Sequence, residues 1–82
     1  MGSENLTSRV ETEILAYLTE HPDAQDTLEG IEQWWLPERK VRYETTPIKE
    51  ALGELVRKGV VVEVKVQDSS PAYRLARKKR RD

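Results

Sequence analysis

Residues 46–66 limit the fold more than any other part of the chain. Thr46 is a helix-capping residue type, and Pro47 suits a first helical position, where a missing N–H costs nothing. Ile48, Leu52, Leu55 and Val56 then recur at helical spacing, with Ala51 at the edge of the stripe. Gly59 supplies a left-handed residue to close the helix. The β-branched run Val60-Val61-Val62-Glu63-Val64-Lys65-Val66 follows directly and reads as a strand. A helix delivered this abruptly into a strand must lay its stripe on other helices or on the sheet that the strand joins.

The rest of the chain supplies both. Ser8 and Glu11 have capping-box spacing, and Val10, Ile14, Leu15, Tyr17 and Leu18 follow on one helical face. This helix should end near Glu20, because His21 precedes Pro22 and is steered out of helical dihedrals. Asp26 and Glu29 form a second capping box, after which Leu28, Ile31 and Trp35 share a face until Pro37 stops the helix. In the connection that follows, Val41 and Tyr43 alternate with charged neighbours, the period of a strand, so a short strand is expected at 40–43. Residues 67–71, Gln-Asp-Ser-Ser-Pro, are turn chemistry, and Ala72-Tyr73-Arg74-Leu75-Ala76 alternates again, giving a β-hairpin. The order helix, helix, helix, strand, turn, strand predicts an α+β fold. It is organised as a disordered leader over 1–7, one domain over 8–76 and a basic disordered tail over 77–82.

Composition excludes several classes of function. A chain of 82 residues buries only about 60% of its unfolded surface, so its core is thin and has little room for a cofactor. It has no cysteine and a single histidine, His21, which rules out thiolate and multi-histidine metal sites. His21 reads as a helix-end residue, where an imidazolium complements the dipole. No phosphate-cradling loop, nucleophile elbow or paired-carboxylate motif is present. The chain is therefore read as non-enzymatic, without cofactor, metal or small-molecule ligand. No apolar run approaches the ~18 residues of a membrane span, and residues 1–5 lack the basic start and apolar stretch of a signal peptide. No membrane association and a cytoplasmic location are expected.

The net charge of −1 conceals a division. Residues 1–38 carry nine acids and one base, net −8, whereas residues 39–82 carry thirteen bases and six acids, net +7. Such asymmetry points to an acidic or nucleic-acid partner for the basic half, or to attraction between the halves within one molecule or between copies.

Residues 46–61, Thr-Pro-Ile-Lys-Glu-Ala-Leu-Gly-Glu-Leu-Val-Arg-Lys-Gly-Val-Val, resemble the third helix and first wing strand of winged helix-turn-helix domains. In those domains a capped helix with an Ala-Leu-x-x-Leu stripe runs through a basic turn and a glycine into a strand. The likeness covers residues 8–76 in layout. It implies duplex DNA binding by a transcription regulator or an accessory domain of one, with the third helix in the major groove and the hairpin along the backbone or minor groove. The sequence departs from the family in one respect. Ten residues separate the apolar stripes of helices two and three, where a turn of about 3–4 is usual, which leaves room for the third helix to be tilted or partly covered.

On this resemblance, phosphate contacts are expected from Arg39, Lys40, Arg42, Lys65 and Arg74, and from the tail bases Arg77, Lys78, Lys79, Arg80 and Arg81. Base contacts are expected from Thr46, Lys49, Glu50 and Arg57 on the outward face of the third helix. That face also reads as an ordinary solvated one, with Glu54 paired to Lys58 at i,i+4. Gly53, in mid-helix, costs on the order of 1 kcal/mol against alanine and marks a place where a partner or another backbone comes close. Trp35 is expected in the core with Ile14 and Leu52. Trp34 points away from that stripe. It reads either as a cover for the core rim against Tyr73 or as the contact of a homodimer, and a protein-interaction domain without DNA binding is the alternative function.

Overall fold

The computed structural model describes residues 5–65, 67 and 70–76. The fold is α+β, with three helices and a small antiparallel sheet. Helix α1 spans Leu6–Glu20. Strand β1, Gln25–Thr27, leads into α2, a continuous helical stretch over 28–38 whose middle, Ile31–Trp35, is a π turn. Helix α3 spans Thr45–Arg57, and strands β2, Val61–Val64, and β3, Ala72–Leu75, complete the chain.

The hairpin β2–β3 forms as expected, with Val61 opposite Leu75 and Val64 opposite Ala72. The third strand is elsewhere than expected. Residues 41–44 have no regular structure, and the strand is β1, which pairs antiparallel with β3 so that Gln25 faces Arg74 and Thr27 faces Ala72. The sheet order is β1-β3-β2, with β3 in the centre. Val41 is half-buried because it closes the end of α2, and the alternation around it reflects that single anchoring contact.

Helix starts differ from the sequence reading by one to three residues. The N-cap of α1 is Asn5, whose Oδ1 accepts from the Ser8 N–H at 2.8 Å, so part of the expected leader belongs to the domain. Thr27 caps α2 in place of Asp26, accepting from the Gly30 N–H. Glu44 stands at the start of α3 with no side-chain cap bond, so Thr46 is not a cap, and Pro47 is the third helical residue. Neither position needs the amide that proline lacks, because the first turn's N–H groups have no helical acceptor. Residues 1–4 of the leader, Asp68 and Ser69 of the turn, Val66 of the strand and the tail 77–82 lie outside the described residues.

The π turn has a packing cause. At 100° per residue, Ile31 and Leu36 would lie about 140° apart on an α-helix. Here the Leu36 N–H reaches back five residues to the Ile31 carbonyl. The wider turn brings Ile31, Trp35 and Leu36 into the core together, all buried. It also accommodates Pro37, whose ring would crowd the carbonyl four residues back in a regular helix, and the helix runs on to Glu38. Val10, Ile14 and Leu18 from α1 and Ile48, Ala51, Leu52 and Leu55 from α3 complete the core, with Val61 beneath them. Trp35 is buried as expected and stacks on Tyr17 at 4.8 Å with the planes 12° apart. Such a pair adds about 0.5–1.5 kcal/mol beyond area burial.

Helices α2 and α3 end in the same hydrogen-bonded motif. After α3, the Gly59 N–H donates to Val56 O and the Val60 N–H to Leu55 O. After α2, the Lys40 N–H donates to Pro37 O at 2.8 Å and the Val41 N–H to Leu36 O at 3.1 Å. Each motif needs a left-handed residue at its pivot. Gly59 fills that role with φ 79°, and Lys40 fills it with φ 63°, the one non-glycine residue at positive φ among the described residues.

Candidate nucleic-acid interface

The outward face of α3 lies beside the first turns of α1. The Thr7 hydroxyl donates to Glu50 at 3.2 Å, and the Lys58 ammonium pairs with Glu11 at 3.0 Å. These contacts set α1 along one flank of α3, so Glu50 and Glu54 border a shallow groove that also takes in Asn5, Gly53 and Arg57. The rest of the face is open. Thr46, Lys49, Gly53 and Arg57 are all exposed, and a Cβ on Gly53 would meet nothing within 4 Å. No neighbouring backbone among the described residues therefore requires Gly53.

The expected pairing of Glu54 with Lys58 does not form. Glu54 pairs with Arg57 at 2.6 Å, and Lys58 turns to Glu11 on α1. The hydrogen bond from Arg57 holds the Glu54 carboxyl below its ordinary range, and the same bond holds the Arg57 guanidinium above its own. With Arg57 68% exposed, this pair sits in water and contributes little to stability.

The structure sorts the bases proposed for phosphate into two groups. Arg39 is engaged inside the molecule. Its Nε donates to Glu13 at 2.6 Å, both side chains are half-buried, and that hydrogen bond raises the guanidinium above its ordinary value. Arg74 is half-buried on the central strand, with its guanidinium near the Leu75 carbonyl. In contrast, Lys40, Arg42, Lys49 and Lys65 are exposed, and among the described residues none of their side chains has a hydrogen bond or ion pair. Lys40 and Arg42 stand in the connection that enters α3, and Lys49 stands in its second turn. The tail bases Arg77, Lys78, Lys79, Arg80 and Arg81 lie outside the described residues.

Part of the charge division is thus spent within the molecule, by Arg39 on Glu13 and Lys58 on Glu11. Nothing local in the sequence marks these pairs, whose members are 26 and 47 residues apart. The Thr45 hydroxyl likewise donates to Glu32 at 2.9 Å, fastening the start of α3 to α2. With α2 running to Glu38, the connection between the two helices is residues 39–44, shorter than the gap between their apolar stripes. Trp34 is 67% exposed, so it does not cover the core rim, while Tyr73 packs on the core without it. No protein-family model, curated protein or solved structure matches the chain.

Proposed function

We propose that the chain is a winged-helix DNA-binding module that serves a transcription regulator. The layout supports this reading: three helices, the third entering a hairpin whose second strand is completed by a short strand from between the first two helices. The observation that carries it is the freedom of the cations around the start of α3. Lys40, Arg42 and Lys49 are exposed and without ion pairs among the described residues, while the bases that face α1 are matched by acids. Unpaired surface cations beside an open helix face suit phosphates, and each contact releases counterions.

In this reading Arg39 leaves the set of contacts and becomes a clamp that fixes the connection. Thr46 and Lys49 face base edges, Arg57 reaches them by giving up Glu54, and Lys40, Arg42 and Lys65 take phosphates. Lys40 adds a further support. Its pivot position favours glycine, and a non-glycine residue there costs about 1–2 kcal/mol. A strained residue carrying a free charge at a candidate site is a marker of function.

Titration with short duplex DNA at several salt concentrations tests the proposal. Affinity should fall linearly on a log–log plot against salt, and Lys40→Gln, Arg42→Gln and Lys65→Gln should each reduce the slope by about 1. Arg39→Gln should leave the slope unchanged. No binding at low salt, or equal slopes for all four variants, would overturn the reading.

A further inference from the structure

Trp34 is the largest exposed apolar side chain among the described residues, and none of them stacks a ring on it. Its position follows from the π turn, since the widening that gathers Trp35 and Leu36 under Ile31 leaves Trp34 outside. π turns are rare and frequent at functional sites. The exposed residues on this side of α2 are Glu29, Gln33, Pro37 and Glu38, and Arg42 of the following connection lies across the groove that Gln33 and Pro37 line. Glu29 lies five residues before the indole and Glu38 four after it. An indole face bordered by carboxylates attracts a cation twice, through the ring quadrupole and through charge, and arginine is the side chain that best exploits both.

This chain carries such a ligand in residues 77–81, Arg-Lys-Lys-Arg-Arg. We infer that the Trp34 face of α2 binds the 77–81 segment of a second copy of the chain. Charge complementarity selects the occupant: the half that contains α2 is net −8, and this run is the densest positive stretch in the sequence. The second copy is favoured over the same chain by the direction of β3. Ala72 lies beside Thr27, where α2 begins, and the strand then runs past Gln25, away from α2. Ala76 is held there by its N–H bond to the Val60 carbonyl. Two copies that exchange these segments reciprocally form a closed dimer, and one-way docking forms an open chain. The contact is small and electrostatic, so it is weak and sensitive to salt.

The inference concerns the acidic side of the molecule and is tested without DNA, so its failure leaves the DNA-binding proposal standing. Sedimentation equilibrium of the full chain at low salt should show an average mass that climbs from monomer toward at least twice that value with concentration. It should return to monomer in high salt. Trp34→Ala should abolish the rise, and its exposed position leaves the fold intact. A variant with Arg77→Gln, Lys78→Gln, Lys79→Gln, Arg80→Gln and Arg81→Gln together should abolish it too. The decisive sample mixes the two variants, since one keeps the basic segment and the other keeps the indole. Each alone should be monomeric, and the mixture should form a one-to-one complex. A wild-type chain that stays monomeric at millimolar concentration, either variant alone associating like wild type, or a mixture that fails to pair would overturn the inference.

Discussion

Lys40 shows how a single residue divides between stability and binding. The motif that ends α2 needs positive φ at this pivot, and the identical motif after α3 uses Gly59. Replacing Lys40 with glycine removes the Cβ strain and should stabilise the domain by about 1 kcal/mol. The same change removes an exposed ammonium from the entrance to α3 and should weaken DNA binding. Chemical denaturation and a DNA titration of Lys40→Gly, run side by side, should therefore move in opposite directions. Gain on both counts would show that the lysine has no part in binding. Two tyrosines add a dependence of stability on alkaline pH. Burial, followed by the charges of Glu38 and Asp26, raises the Tyr17 hydroxyl above its ordinary 10.0, and burial, followed by Glu63, does the same for Tyr73. The folded state thus holds these protons more tightly than the unfolded chain. Their contribution is complete below pH 10 and is lost as pH rises through the raised values. Urea midpoints should fall above pH 10, and Tyr17→Phe should fall less steeply than wild type.

At the scale of elements, legibility in the sequence followed from how local each cause was. The stripes of α1 and α3 were readable because Val10, Ile14 and Leu18, and Ile48, Leu52 and Leu55, obey one period and pack on one side. The hairpin was readable from its β-branched strands and its turn residues. Strand β1 was not, because Gln25, Asp26 and Thr27 are polar, only three residues long, and extended solely through pairing with β3. The continuation of α2 through Pro37 was equally hidden. A proline signals a helix end only if the turn before it is regular, and here that turn is widened. Leu36 measures what the widening achieves. It is fully buried although an α-helical wheel places it far from Ile31. Leu36→Ala should therefore cost about 2–5 kcal/mol in denaturant unfolding, as a core leucine does. A regular helix, with Leu36 at the surface, predicts a change below 0.5 kcal/mol at such a position. Within the candidate site, the exposed bases of the 39–49 region were named from sequence. The inward engagement of Arg39 depends on Glu13, a residue of another helix, and only the folded chain brings the two together.

Across the whole molecule, the two halves of the sequence meet along α1, where acids of the first half neutralise Arg39 and Lys58 of the second. What remains outside these pairs is a set of free cations near α3 and an acidic face with an indole on α2. The sheet adds a constraint on assembly. Its central strand comes last in the sequence, so β1 waits for a neighbour while everything between Thr27 and Ala72 leaves the ribosome. Until then the helices can collapse on one another, but β2 keeps a raw edge ready to pair with a stranger. A chain interrupted before Ala72 would be nearly complete in its core and still adhesive, a natural target for quality control.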